Sequence, residues 1–249
     1  MAPYLLYKTS ERWGQMTRVL ILGSGPNVVS CRDWPKVPFD VILAINNAWA
    51  VRPDWDYLIH PEDFPVDRHP PSLLDGQQLI TAADYVSVQN RFGGFVYAGG
   101  TMAFTAGYWA LGALNPTVIA MLGCDMTYDA SQTHFYGTGT ADPLRSDISL
   151  RSLEAKSARL QALAAQCGCA MVNLSDAPSR LTFPRATPAT TAALGPVTLD
   201  ETVVAAALAE EDRLGYYVPS GKYWKEEDRF DPAAVDQLDK MWLKAIPPV

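Results

Sequence analysis

The stretch Arg18-Val-Leu-Ile-Leu-Gly-Ser-Gly-Pro-Asn27 decides the fold, because a short apolar run breaks abruptly into Gly23-Ser24-Gly25-Pro26. A continuous apolar run bounded by turn residues suits a strand buried on both faces of a parallel sheet, whereas a half-exposed strand would alternate. The two glycines permit a tight turn and let backbone N–H groups approach a phosphate, so a nucleotide or nucleotide-sugar is the leading ligand. The third glycine of a dinucleotide fingerprint is absent, since Val28 stands in its place. Pro26 is placed to start the next helix, where its missing N–H costs nothing. A plain strand-to-helix turn of an α/β protein satisfies the same residues.

Working outward, the remaining apolar segments alternate with helical patterns, which favours a mostly parallel sheet with helices on both faces. Phe39 to Ile45 reads as the second strand, ending in Asn46-Asn47, and Asp56 to Ile59 as the third, ending in His60-Pro61. Leu79 to Thr81 and Val86 to Val88 are weaker strand candidates. Gly99-Gly100-Thr101 opens a helix through Leu111, Thr117 to Leu122 is the next buried strand, and Gly123-Cys124-Asp125 closes it. Leu150 to Gln166 has helical spacing of apolar and charged residues, and Ala170 to Asn173 forms a last short strand. Polar and small residues thus gather where strands end, the edge at which open α/β sheets bind ligands.

The texture changes after residue 185. Residues 1–185 read as one Rossmann-like nucleotide-sugar-binding domain, and residues 186–249 as a Pro/Thr/Ala-rich linker followed by a helical extension packed on that core. Leu199 to Leu214 and Pro232 to Ala245 are its helices, with Asp231 as the cap of the second.

With 249 residues, 48% hydrophobic and 19% charged, the chain is long and apolar enough for a full core. Its formal charge of -7 disfavours nucleic acid as a partner. No run approaches the ~20 apolar residues of a membrane span. Met1 to Met16 carries Lys8, Glu11 and Arg12 where a secretory leader needs an apolar segment, so a cytoplasmic location is expected. Cys31, Cys124, Cys167 and Cys169 form no C-x-x-C pair, and reduced, mostly buried thiols are the expectation rather than a zinc site. Self-association into a homo-oligomer is left open.

Taken together, Gly23-Ser24-Gly25-Pro26, the strand ending in Asn46, Gly99-Gly100-Thr101, Gly123-Cys124-Asp125 and His134-Phe-Tyr-Gly137 occur in an order that resembles bacterial CMP-sialic-acid-dependent sialyltransferases. The set also looks like the wider Rossmann-like group containing motility accessory factors and 6-hydroxymethylpterin diphosphokinase-like proteins. The likeness covers roughly Arg18 to Arg185 and leaves the C-terminal part unmatched. It implies an inverting glycosyltransferase with a CMP-sugar donor, a hydroxyl-bearing acceptor and no obligatory metal. Under this resemblance Gly23, Ser24, Gly25, Pro26, Asn46, His60, Gly99, Gly100 and Thr101 would hold the donor, with Asp125 beside the reacting sugar. The family segment ends in a histidine base, and here Thr138 occupies that position. His134 after a shift of the loop, or Asp125 or another carboxylate, is left to take the proton, with Tyr128 and Tyr136 as donors to the departing phosphate.

Two further readings stay open: a Mg²⁺-dependent diphosphokinase-like transferase, and a nucleotide-binding module without catalysis, suggested by Thr138. Asp54-Trp55-Asp56 spells the D-x-D pattern of metal-using glycosyltransferases, although a turn and strand start after Arg52-Pro53 is the stronger reading. His69, among prolines, reads as a solvated loop residue. Tyr216, Tyr217, Tyr223 and Trp224 are expected to pack the tail onto the core, and Lys222 to be a solvated loop lysine.

Overall fold

The computed structural model describes residues 17–128, 132–137 and 145–247. Met1 to Met16, with Lys8, Glu11 and Arg12, and Thr138 lie outside the described residues. The core is a sheet of six strands: β1 (Arg18–Leu22), β2 (Val41–Ile45), β3 (Tyr57–Ile59), β4 (Gln78–Ile80), β5 (Val118–Leu122) and β6 (Ala170–Asn173). All pairings are parallel, in the order β4-β3-β2-β1-β5-β6. Val19 to Leu22 are buried, as the unbroken apolar run requires of a central strand. The order reverses between β1 and β5, so the connections leaving these two strands diverge and open a crevice at their C-terminal ends.

Helices border both faces, but they differ in kind. The face formed by Val19, Ile21, Leu43, Ile59 and Met121 is covered by α1 (Ala82–Asn90), α2 (Phe95–Ala98), α3 (Met102–Leu114), α4 (Leu153–Gln166), α5 (Glu201–Leu214) and α6 (Pro232–Lys244). The opposite face, with Leu20, Leu22, Ile42 and Ala120, is covered by short 3-10 segments at Pro26–Cys31, Asn46–Ala50 and Pro188–Ala193. Pro26 does occupy the first turn of its segment, which is 3-10 rather than α. Val86 to Val88 is helical and not a strand, because Thr81 and Asp84 form a capping box that starts α1 four residues earlier, at Ala82. Ser152, whose hydroxyl accepts from Ala155 N at 3.1 Å, starts α4, and Asp231, accepting from Ala233 N at 2.9 Å, starts α6.

The extension is built into the helix layer. On α4, Lys156 and Arg159 are fully buried, although the mixed apolar and charged pattern of that helix gives no sign of it. Arg159 donates to both oxygens of Glu211 on α5 (2.7 Å each), to Tyr108 Oη (2.8 Å) and to the Phe92 carbonyl (2.7 Å). Trp242 Nε1 on α6 donates to the same Glu211 at 2.8 Å, and Lys156 Nζ reaches Asp239 at 2.8 Å. Two buried ion pairs therefore join α5 and α6 to α4. Among the described residues no helix is long and apolar enough to cross a membrane.

Candidate functional site

At the C-terminal edge of the sheet lies a cleft of about 1210 Å³, and most of the residues singled out from the sequence line it. Ser24, Gly25 and Pro26 follow β1, Asn46 follows β2, Asp125 and Tyr128 follow β5, Gly100 and Thr101 lead into α3, and His134 and Tyr136 close one side. Gly99 and His60 do not line it. Gly99 lies behind the wall at φ +89° and packs near Phe104 and Lys156. His60 is buried, its Nδ1 2.9 Å from the Pro61 carbonyl and its ring 4.6 Å from His69, so this histidine and the supposedly solvated His69 belong to one aromatic cluster with Phe64.

The glycines earn their place by contact between loops more than by facing a phosphate. Gly23 N donates to Leu122 O and Gly25 N to Gly123 O, both at 2.8 Å, so these two N–H groups are already spent on β5 and its loop. A Cβ on Gly23 would stand 2.3 Å from Gly123 O, and one on Gly25 would stand 2.8 Å from the same atom. Gly25→Val is therefore expected to destabilise the fold, with a clear fall in thermal midpoint, and not merely to obstruct a ligand. A variant with an unchanged midpoint would show that the two loops separate without cost. Gly100 N is likewise occupied, donating to Ser149 Oγ at 3.0 Å, and the Thr101 hydroxyl caps α3 by accepting from Phe104 N at 3.2 Å.

Asp125 is the hub of the floor. Its carboxylate accepts from Asn27 Nδ2 (2.8 Å), Ser175 Oγ (2.7 Å) and Asn173 Nδ2 (3.2 Å). Both oxygens are thus committed to structure, which disfavours a role for Asp125 as proton acceptor and favours one in orientation. A carboxylate can only accept, so it fixes the Asn27 amide with nitrogen down and Oδ1 on the other side. That Oδ1 and the Oδ1 of Asn46 are buried acceptors without a protein partner among the described residues, and both side chains line the cleft. Buried polar atoms are rarely left unpaired, so these two are candidate acceptors for the donors of a ligand. Asn27 was not among the residues singled out from the sequence, although it directly follows the glycine loop.

Backbone conformation points to the same place. Asn46, Met126 and Tyr128 have φ values of +51°, +55° and +51°, and all three line the cleft. Left-handed methionine and tyrosine are costly, and such residues cluster at functional sites.

The segment carrying His134 is tied to the glycine loop, because Phe135 N donates to Ser24 O at 3.0 Å. His134 N and Gly137 N each donate to the other's carbonyl at 3.0 Å, closing a tight turn. The imidazole stacks on Tyr136 with ring centres 5.0 Å apart, lies 6.2 Å from Tyr128, and has Nδ1 2.8 Å from Thr133 Oγ1. In the tautomer whose Nδ1–H donates to that hydroxyl, Nε2 carries the lone pair of a base. Burial holds its pKa below the ordinary histidine value, so the neutral ring prevails at pH 7.

The opposite wall comes partly from the C-terminal extension, where the sequence suggested only packing. Tyr223 Oη donates to Asp147 Oδ2 at 2.7 Å and is 3.0 Å from Ser149 Oγ, while Arg145 Nε reaches the same carboxylate oxygen at 3.0 Å. Burial pushes the Tyr223 phenol up to about 12. Burial alone would raise Asp147, but hydrogen bonds from Ser149 and Tyr223 together with the Arg145 charge hold it below the ordinary carboxylate range. Lys222 lines the cleft and its Nζ lies 3.5 Å from Glu62, which follows β3. The D-x-D motif stands at the opposite edge of the sheet. Asp54 pairs with Arg52 at 2.6 Å and Asp56 with Lys36 at 2.7 Å, around a buried Trp55.

Protein-family models, curated proteins and solved structures compared with the chain gave no match. The functional reading therefore rests on the residues themselves.

Proposed function

We propose that the protein is a glycosyltransferase that takes a nucleotide-activated sugar, with a CMP-sugar as the favoured donor, and inverts the anomeric carbon. The observation that carries the proposal is the convergence of the unpaired Asn27 and Asn46 acceptors with His134 in a single cleft at the β1/β5 switch point. In the proposed step His134 Nε2 takes the proton of an acceptor hydroxyl as that oxygen bonds to the anomeric carbon. The bond from that carbon to the phosphate oxygen breaks on the opposite face, and the nucleotide departs with the electron pair. Tyr128 and Lys222, both lining the cleft, would stabilise the charge that develops on the leaving phosphate. Holding donor and acceptor in this order supplies most of the rate advantage, with proton transfer added to it.

A thermal-shift series with CMP, UDP, GDP, ADP and their sugars, with and without Mg²⁺, tests the proposal, because a ligand that binds only the folded state raises its midpoint. A shift with CMP or a CMP-sugar that needs no metal supports it. A shift that requires Mg²⁺ would favour the diphosphokinase-like reading, and binding without sugar transfer would favour a nucleotide-binding module. Asn46→Gly keeps the left-handed backbone while removing the amide. It is expected to weaken CMP about tenfold, the loss of one good hydrogen bond, with the thermal midpoint nearly unchanged. Calorimetric titration compares the variant with wild type, and equal affinities would remove Asn46 from the donor site.

A further inference from the structure

We infer that the end of the cleft beyond β3 and β4 is a nucleobase subsite, in which the Asp63 carboxylate accepts from the exocyclic amine of cytosine and the Tyr85 hydroxyl donates to its ring nitrogen; the inference rests on the CMP-donor reading and deepens it. Tyr85 on α1 is only 6% exposed, yet it lines the cleft, and its hydroxyl makes no hydrogen bond with a described residue. Asp63, which follows β3, lines the same cleft and has no hydrogen bond or ion pair among the described residues. A phenol so enclosed is rarely left unpaired, and neither side chain has a part in the proposed sugar transfer.

Contacts around this end of the cleft close into a ring. Tyr85 meets Phe95 edge to face at 6.3 Å, and Phe95 lies nearly parallel to Tyr223 at 6.4 Å. Gly221 sits against α1 and α2, since a Cβ there would stand 2.9 Å from Phe95 Cε2 and 3.3 Å from each Val86 methyl. Its neighbour Lys222 reaches across to Glu62 at 3.5 Å, and Asp63 is the next residue. Burial, joined by the negative charges of Glu62 and Asp63, pushes the Tyr85 phenol up to about 12, so it is a neutral donor at pH 7 with both carboxylates close by. Val86, Phe95 and Tyr223 give the space apolar and aromatic sides that suit a flat ring. The strand order then sets the pose. Strands stand ~4.8 Å apart, so the ends of β2 and β4 are separated by ~10 Å. A nucleotide laid along this edge meets the loop after β1 with its phosphate, Asn46 with its ribose, and Asp63 and Tyr85 with its base, which leaves the anomeric carbon at the His134 end. Cytosine carries its amine beside an acceptor nitrogen, the complement of a carboxylate beside a phenol. Uracil in the same pose would set a carbonyl oxygen against Asp63, two acceptors facing each other.

Calorimetric titration with CMP, UMP and ribose 5-phosphate tests the subsite. The wild-type chain is expected to bind CMP about tenfold or more tightly than either of the others. Tyr85→Phe should weaken CMP about fivefold and leave ribose 5-phosphate within about twofold, the loss of one hydrogen bond to the base alone. Its thermal midpoint should match wild type, because the hydroxyl holds nothing in the fold. Asp63→Asn should bring CMP and UMP within about threefold of each other, since an amide can donate to the uracil carbonyl as well as accept from the cytosine amine. If ribose 5-phosphate binds wild type as tightly as CMP, or if the preference for CMP over UMP is the same in Asp63→Asn, the subsite is overturned. Equal weakening of CMP and ribose 5-phosphate by Tyr85→Phe would also overturn it, by placing the phenol against the ribose or phosphate. Failure of all three compounds to bind overturns the subsite together with the CMP-donor reading. The two separate in the remaining cases. Sugar transfer from a CMP-sugar with base preference unaltered in both variants keeps the transferase and removes the subsite, whereas base-selective binding without transfer keeps the subsite and removes the transferase.

Discussion

Glu211→Ala is expected to lower the free energy of unfolding by ~3–5 kcal/mol, the penalty for leaving one member of a buried ion pair without its partner. The guanidinium of Arg159 is wholly enclosed and would keep Tyr108 and the Phe92 carbonyl but lose both carboxylate oxygens. Trp242 Nε1 would lose its acceptor in the same substitution, which adds an unsatisfied buried donor. By contrast, the exposed Arg213–Glu210 pair at 2.6 Å contributes little, because water solvates both partners and two flexible side chains must be ordered. Urea unfolding should therefore show a large drop in midpoint for Glu211→Ala and almost none for Glu210→Ala. The double variant Arg159→Met with Glu211→Leu is expected to recover part of the loss, since neither charge then has to be desolvated. A Glu211→Ala midpoint equal to wild type would mean that water reaches this pair in solution.

His134→Ala is expected to cost 10²-fold or more in kcat, a typical contribution of a general base, while CMP affinity stays within twofold. The separation matters because the segment also hydrogen-bonds to Ser24, and a merely structural histidine would disturb donor binding and turnover together. The pH profile gives a second readout. Burial lowers the folded-state pKa of His134 below its ordinary 6.5, so Nε2 stays unprotonated at pH 7, and the rate should decline only on acidification below that ordinary value. The same depressed pKa makes a stability contribution that is complete above pH 6.5. It diminishes as pH falls, because the unfolded chain takes up the proton first. If His134→Ala retains wild-type turnover, or loses nucleotide binding along with it, another group is the base.

The strands were legible in the sequence because a parallel sheet buries both faces of each strand and so leaves continuous apolar runs; β1, β2, β5 and β6 lie where those runs stand. Val86 to Val88 misled because three residues do not distinguish a β-branched strand from an apolar helix face, and the Thr81–Asp84 capping box that decides it lies upstream. Most of the cleft was legible for the same reason: loops at strand ends converge wherever a parallel sheet reverses its order. His60 escaped correct placement because the residue after a strand can turn toward the cleft or away from it, and its packing on Phe64 and His69 settles the matter. What the sequence could not convey were contacts between distant segments. Tyr223 with Asp147 and Arg159 with Glu211 span 76 and 52 residues, and no local spacing announces either.

Because Tyr223, Lys222 and Trp224 form one wall of the cleft while Glu211 and Asp239 neutralise charges sealed inside α4, cutting the chain in its proline-rich linker would not yield a smaller working version of the protein. The piece ending there would carry two bare cations where the missing helices had been, a cleft open along one side, and an apolar surface facing water. In a chain made from the N-terminus onward, that state is also a stage of synthesis. Completion of the cleft and completion of the fold therefore depend on the same late event, the docking of α5 and α6.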